Sequence, residues 1–317
     1  MDSKSKLKRY LVTGGAGFIG SNLVESLVKK GKEVVVVDNL STGSRNNLSL
    51  VKDKIRFIEA PVMKVLELEE LKNLAGIYHL GIPSTTMLYR NNPLLVGEAI
   101  QEFIKILELA KRENCKLVFA SSSSIYNGNR PPFKEEMPVF VKDLYTEARY
   151  AIERLAKLYF DFYKVKSIGF RLFSVYGPHE EAKGSFANLI SQFLWDMKEG
   201  KRPLIYGDGS QTRDFTYVDD ITRGFIIGMN SEIDCDIFNL GTGKSYSLNE
   251  LVNILNQILG KNIKPIYIKN PLKNYVEETL ADIIKVKKIL SWSSKISLKE
   301  GIKKLINQTL FISKKVW

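Results

Sequence analysis

The sequence predicts an α/β fold: a doubly wound parallel sheet with a smaller, mostly C-terminal lobe. Two observations carry this. Short apolar segments alternate with amphipathic helical segments through the first half, the pattern of parallel strands joined by crossover helices. A glycine-rich turn, Val12–Gly20 (V-T-G-G-A-G-F-I-G), lies between the first strand and the first helix.

The elements follow from their patterns. Strands are predicted at Tyr10–Val12, Val34–Val37, Ile55–Ile58, Ile77–Leu80, Leu117–Ala120 and Ser167–Leu172. Phe18, Ile19, Leu23 and Leu27 are apolar at helical spacing and predict a helix to Val28. Glu98–Lys111 and Tyr145–Tyr163 are the longest helical stretches. After Gly177-Pro178 the alternation stops. A loop (His179–Gly184), a helix (Ser185–Lys198) and a basic turn lead into Leu204–Gly209. Ser247-Leu248-Asn249-Glu250 is a capping box opening a helix that stops at Gly260. Ser297-Leu298-Lys299-Glu300 repeats the device.

Composition narrows the class. The chain has 317 residues, enough for a large core. No apolar run approaches membrane-spanning length, and Asp2–Arg9 is polar and basic, unlike a secretory signal. Cys115 and Cys235 fit neither a metal site nor a disulfide framework, so no metal and a reducing cytoplasm are expected. The net charge is +12. The lysines are scattered and lack the aromatic interleaving of a single-strand-binding surface. A solvated lysine-rich surface is therefore favoured over a nucleic-acid or membrane partner.

The glycine turn has a stated chemistry. Gly14 permits a tight turn, Gly17 lets the backbone approach a pyrophosphate, and Gly20 lets the helix pack on the strand. The helix start then offers unpaired N–H groups and a positive dipole end. The second strand, E-V-V-V-V, ends in Asp38, placed to accept the hydroxyls of an adenosine ribose and to repel a 2′-phosphate. NAD is favoured over NADP, with Arg45 in the same loop as the counter-signal. Hydroxyls cluster at Ser121–Ser124, after the fifth strand. Tyr145 and Arg149 are four apart and share a helix face. A fixed cation there, with the positive nicotinamide, should favour a phenolate able to take an alcohol proton.

Together these segments resemble the extended short-chain dehydrogenases/reductases that act on nucleotide sugars, nearest the UDP-glucose 4-epimerase group. The matching segments are Val12–Gly20, Val35–Gly43, Tyr78–Leu80, Phe119–Tyr126, Tyr145–Leu155, Arg171–Pro178, Tyr206–Asp220, Asn239–Gly243, Ala281–Lys285 and Leu290–Trp292. The resemblance implies a Rossmann-like domain at residues 1–173, with 214–240 returning to it. Residues 174–213 and 241–317 would form the substrate lobe. It implies NAD as cofactor and C4 epimerisation of a nucleotide-diphosphate sugar, UDP-glucose/UDP-galactose or the N-acetyl forms, through a transient 4-keto sugar. Gly14, Gly17 and Gly20 would hold the pyrophosphate and Asp38 the adenosine ribose. Phe18, Ile19, Asn39, Ser41, Thr42, Gly43, Val62, Leu80, Gly81 and Ile82 would complete the cofactor site with Tyr145 and Arg149. Tyr145 matches the catalytic tyrosine and Ser122 the catalytic Ser/Thr. Ser123, Ser174, Asn188, Arg213 and Thr279 fall at substrate positions, Arg213 on the diphosphate and Thr279 at a site gating sugar size. Asp214, Asp219 and Asp220 read as structural. A homodimer through the two long helices is implied, with Tyr159, Phe160 and Phe162 on their outer faces.

The chain also departs from the family pattern. The catalytic lysine is Arg149, an adenine-contacting acid falls at Pro61, and an asparagine falls at Ser174. A second diphosphate arginine falls at Leu272, with Lys269 or Lys273 as stand-ins. Three rivals follow. A 4,6-dehydratase needs an Asp-Glu pair where Ser123 and Ser124 stand, and a reductase needs an exchangeable NADPH that Asp38 disfavours. A degenerate NAD-binding sensor or scaffold would explain Arg149 and Pro61.

Overall fold

Seven parallel strands form the central sheet of the computed structural model, which describes residues 8–271 and 275–314. They are β1 (Arg9–Thr13), β2 (Glu33–Asp38), β3 (Ile55–Glu59), β4 (Leu74–His79), β5 (Lys116–Ser122), β6 (Ser167–Leu172) and β7 (Cys235–Leu240). Their spatial order is β7-β6-β5-β4-β1-β2-β3. The order reverses between β1 and β4, so the crevice beyond their carboxyl ends is where a ligand belongs. The six strands expected from sequence are present. The fourth runs Leu74–His79, earlier than expected, and β7 pairs with β6 over its whole length.

Side-chain alternation sends each strand's residues to two layers. Val12, Val34, Val36 and Ala120 face α1 (Phe18–Lys29) and α6 (Val218–Asn230). Leu11, Val35, Val37 and Phe119 face α3 (Leu95–Arg112) and α4 (Leu144–Tyr163). Between β4 and α3 lies the short α2 (Thr86–Asn91). A separate core joins α5 (Leu189–Lys198), α7 (Leu248–Leu259) and α9 (Leu298–Lys314) through Phe193, Leu194, Leu251, Leu255 and Ile302. Between α7 and α9, α8 (Ile284–Leu290) packs Val286 and Leu290 onto the sheet core.

The local signals behave as their chemistry requires. Ser247 and Glu250 close a reciprocal capping box, and α7 ends at Gly260 with φ +64°. Glu300 N donates to Ser297 Oγ at 3.3 Å at the start of α9. The helix expected from Ser185 starts at Leu189 instead. Asn188 Oδ1 accepts from Ile190 N at 3.0 Å and makes itself the cap. The preceding segment, Glu181–Phe186, is a 3-10 turn broken at Gly184, whose φ is +51°.

The first turn after β1 is the tightest place in the fold. Gly14 lies at φ +68°, and its carbonyl accepts from Gly17 N at 3.1 Å. A Cβ on Gly20 would lie 2.0 Å from that same carbonyl oxygen, and a Cβ on Gly14 would lie 2.5 Å from Gly81 N. Gly20→Val must therefore push α1 off β1. It should lower stability by about 2 kcal/mol or more in a urea titration and abolish dinucleotide binding measured by calorimetry.

Candidate active site

Two cavities open beyond the carboxyl ends of the strands. The first, about 280 Å³, is lined by Gly14, Gly17, Phe18, Ile19, Gly20, Thr42, Leu80, Ile82, Ser121, Tyr145, Arg149 and Lys183, among others. The second, about 330 Å³, is lined by Thr86, Arg90, Ser124, Asp143, Arg213, Tyr275 and Thr279. Ser122, Ser123 and Ser174 line both and form their common wall. Each is delivered by the end of a neighbouring strand, β5 or β6.

The first cavity fits a dinucleotide. α1 is capped by Gly17 without a side-chain hydrogen bond and has no acidic residue in its first turn, so its N–H donors are left for an anion. At the tip of β2, Asp38 is 6% exposed. Burial pushes its carboxyl pKa up, against the pull of the backbone amides of Leu40, Ala16 and Gly17. Leu40 N donates to it at 2.7 Å and Ala16 N at 2.9 Å. It thus ties the glycine turn to β2, and it is not among the residues lining the cavity. Arg45 is taken up by Glu59 at 2.7 Å and lies over Phe57, so it is not poised for a 2′-phosphate. Asn39 accepts from Ser41 N at 3.1 Å, shaping the loop that brings Thr42 to the cavity. A Cβ on Gly43 would meet Ala16 O at 2.8 Å. Val62 is buried, and a Cβ on Gly81 would lie 3.1 Å from its Cγ2.

Tyr145 opens α4, whose first turn is fixed by Asp143 Oδ1 accepting from Thr146 N at 2.8 Å. Its ring lies edge-on to Tyr89 at 5.7 Å, and the Arg149 guanidinium lies 5.1 Å from the ring centroid. Arg149 is 3% exposed. Its Nη1 donates to Ala120 O at 2.8 Å and Nη2 to Pro83 O at 3.1 Å, while Nε has no hydrogen-bond partner among the described residues. This positive charge is fixed in place by two carbonyls. His79 stands nearby, buried, with Nδ1 2.8 Å from Thr13 Oγ1. Burial, and then the Arg149 charge, holds its pKa down to about 3, so it is neutral and no acid–base rival to Tyr145. The Tyr150–Arg154 pair lines neither cavity; Arg154 stacks over Tyr150 and pairs with Glu147.

In the second cavity, Arg213 donates to the carbonyls of Thr212 and Glu277 at 2.8 and 3.1 Å and packs 5.2 Å from the Tyr275 ring. It has no carboxylate partner among the described residues. Burial lowers its pKa, against the pull of Tyr275 and Glu277. Thr279 Oγ1 accepts from Asp214 N at 3.1 Å, and its small side chain leaves the wall open. Ser174 sits at φ +32°, a region asparagine enters more readily than serine. Asn188 lies outside both cavities, donating to Val175 O as it caps α5. Lys269 is exposed, and Leu272 and Lys273 lie outside the described residues. Asp214 is structural: Thr242, Gly243 and Ala281 all donate to it. Asp220 accepts from Ser294, Lys295 and Ile296 and pairs with Arg223, and Asp219 pairs with Lys304. Burial pushes the Cys115 thiol up to about 12 and raises that of Cys235, so neither is a ready nucleophile.

Sequence reasoning missed the cluster that holds the serine wall. Arg171 makes a fork onto Glu153 at 3.0 and 2.7 Å and donates to Tyr126 OH at 2.9 Å. Ser121 Oγ donates to the same Glu153 at 2.6 Å, and Tyr126 OH donates to Asn239 Oδ1 at 2.7 Å. Lys183, Tyr275 and Thr86 were missed as well, because each reaches a cavity from a loop or short helix with no local motif. Glu153→Ala leaves the Arg171 charge buried and alone. It should destabilise the protein by about 3–5 kcal/mol in urea unfolding, and adding Arg171→Met should recover part of that.

Comparison with known proteins shows the family. Residues 10–241 match the NAD dependent epimerase/dehydratase family. The chain is 36% identical over 304 residues to a putative UDP-glucose 4-epimerase of Methanocaldococcus jannaschii, covering 94% of this chain and 97% of that one. It is 36% identical over 312 residues to a UDP-glucuronate 4-epimerase of Thermodesulfobacterium geofontis, covering 94% and 95%. The solved UDP-N-acetylglucosamine 4-epimerase of Methanobrevibacter ruminantium, in complex with UDP-N-acetylmuramic acid, superposes with a TM-score of 0.91 at 28% identity, over 98% of this chain and 99% of that one. With its glycine turn, its tyrosine helix and its seven-stranded sheet, the chain belongs to the NAD dependent epimerase/dehydratase family.

Proposed function

We propose that the protein epimerises a nucleotide-diphosphate sugar at C4 through a transient 4-keto sugar. The observation that carries the reading is the shared serine wall. Ser122 stands where the dinucleotide cavity, which Tyr145 also lines, meets a second cavity holding Arg213, half-buried and without a carboxylate partner among the described residues. Arg213 would pair with the sugar's diphosphate, and its guanidinium fork suits two phosphate oxygens. Tyr145 would take the C4 hydroxyl proton and return it on reversal. Ser122 would donate to the same oxygen and keep it in line. Arg149 places a fixed positive charge beside the Tyr145 ring. NAD, when bound, supplies the hydride acceptor and donor. Serines at 123 and 124, with hydroxyls in place of an acid–base pair, support epimerisation over 4,6-dehydration.

The small Thr279 in the second cavity supports an N-acetylated sugar beside the plain hexoses. Incubation with UDP-glucose, UDP-galactose, their N-acetyl forms and UDP-glucuronate should yield a C4 epimer from at least one, read by chromatography. No epimer from any, with NAD bound, would overturn the reading in favour of a non-catalytic NAD-binding protein. Tyr145→Phe should lower kcat by about 10²–10⁴ without releasing NAD; parental activity in that variant would remove the proposed base.

The same reading makes the protein a cytoplasmic homodimer joined through α3 and α4. Leu158, Phe162 and Tyr163 are exposed on α4 at 47%, 73% and 51%, apolar area that a second copy would cover. No described helix is long and apolar enough to cross a membrane. Sedimentation should show twice the 36.0 kDa chain mass; a monomer at micromolar concentration would refute the pairing.

A further inference from the structure

We propose that Lys183 is a cofactor-binding residue that clamps the dinucleotide pyrophosphate from the side opposite α1. The inference rests on the dinucleotide reading of the first cavity. Among the residues lining that cavity, two carry a positive charge, Arg149 and Lys183. Arg149 is held by Ala120 O and Pro83 O, deep beside Tyr145. Lys183 lies at the other end. Its ammonium is 5.4 Å from the ring centroid of Phe18, the first residue of α1. That helix start is where the Rossmann arrangement places the pyrophosphate. The helix dipole amounts to about half a charge, against two on a pyrophosphate. A lysine at this distance supplies most of what the helix cannot.

The lysine is held ready. Its side chain is 18% exposed, and it pairs with Glu180 at 3.6 Å. Glu180 in turn is 1% exposed and accepts from Asn188 N at 2.9 Å and Ser191 Oγ at 2.5 Å. The carboxylate is therefore shared among three donors, and the ammonium keeps N–H groups to spare. The strap that carries Lys183 is tied down on both sides. Asn22 on α1 donates to Pro178 O at 3.1 Å and Asn47 donates to His179 O at 3.4 Å, while Glu180 anchors it to α5. A cation on this strap links the cofactor to the substrate lobe.

The test compares ligands that share the adenosine but differ in the pyrophosphate. Affinities of nucleotide-freed protein for NAD, ADP and adenosine are measured by calorimetry at low and high salt, in the parent, Lys183→Met and Lys183→Arg. The expected result is a loss of about tenfold or more for NAD and ADP in Lys183→Met, with adenosine unchanged. The salt dependence of NAD binding should flatten in that variant, and Lys183→Arg should restore most of the affinity. Unchanged NAD affinity in Lys183→Met would overturn the proposal. So would an equal loss for adenosine, which is what a merely structural role gives. A parent protein that binds neither NAD nor ADP would sink the cofactor reading itself and this proposal with it.

Discussion

Backbone-to-backbone contact at the first glycine turn is the constraint on which the rest depends. Gly14 touches Gly20 on one side and Gly81 on the other, at distances that leave no room for a Cβ. This contact brings the start of α1, the end of β1 and the segment after β4 to one point. The sheet order reverses at that same point, so a helix dipole, a row of free N–H donors and an open crevice coincide. Asp38 then secures the turn from the next strand by accepting from Ala16 N. A single methyl group at Gly20 would undo all of it.

The chemistry of the site follows from where the strands stop. β5 ends in Ser122, and Ser123 and Ser174 lie just beyond the ends of β5 and β6; these become the wall between the two cavities. Tyr145 lines the first cavity from the first turn of a capped helix, so its position is set by a helix end rather than by a loop. The arginine at position 149 changes the local solution. A lysine ammonium is a compact point donor; a guanidinium is a planar fork. Here the fork bridges Ala120 O and Pro83 O, two carbonyls from different strand ends, and this fixes the charge beside the phenol. The unpartnered Nε is what such a rigid placement leaves over.

Behind the wall, Arg171 and Glu153 form a buried ion pair that adds little net stability, because both charges had to leave water. Its consequence is geometric. Glu153 holds Ser121, and Arg171 holds Tyr126, so the serine run between them is pinned at both ends. Burial opposes the Arg171 charge, yet the fork onto Glu153 more than offsets this and raises its pKa.

Local chemistry determined what the sequence could determine alone. Alternating apolar strands, a glycine turn with helical apolar spacing after it, a capping box at Ser247 and a stop at Gly260 are all signals carried within a few residues. They sufficed for the sheet, the glycine turn and the helix that carries Tyr145. The misplaced start of α5 is a conflict of such signals: Ser185 looked like a start, but Gly184 and the stronger cap at Asn188 prevailed. Tertiary structure alone decided the rest. Lys183, Tyr275, Thr86 and the Glu153–Arg171–Tyr126 network meet across separations of tens of residues, and no local period marks such a meeting. Whether a charge is paired or left for a ligand depends on what the fold brings beside it. Arg45 found Glu59, while Arg213 found carbonyls, the Tyr275 ring and no carboxylate among the described residues, a difference that neither residue's neighbours in the chain could encode.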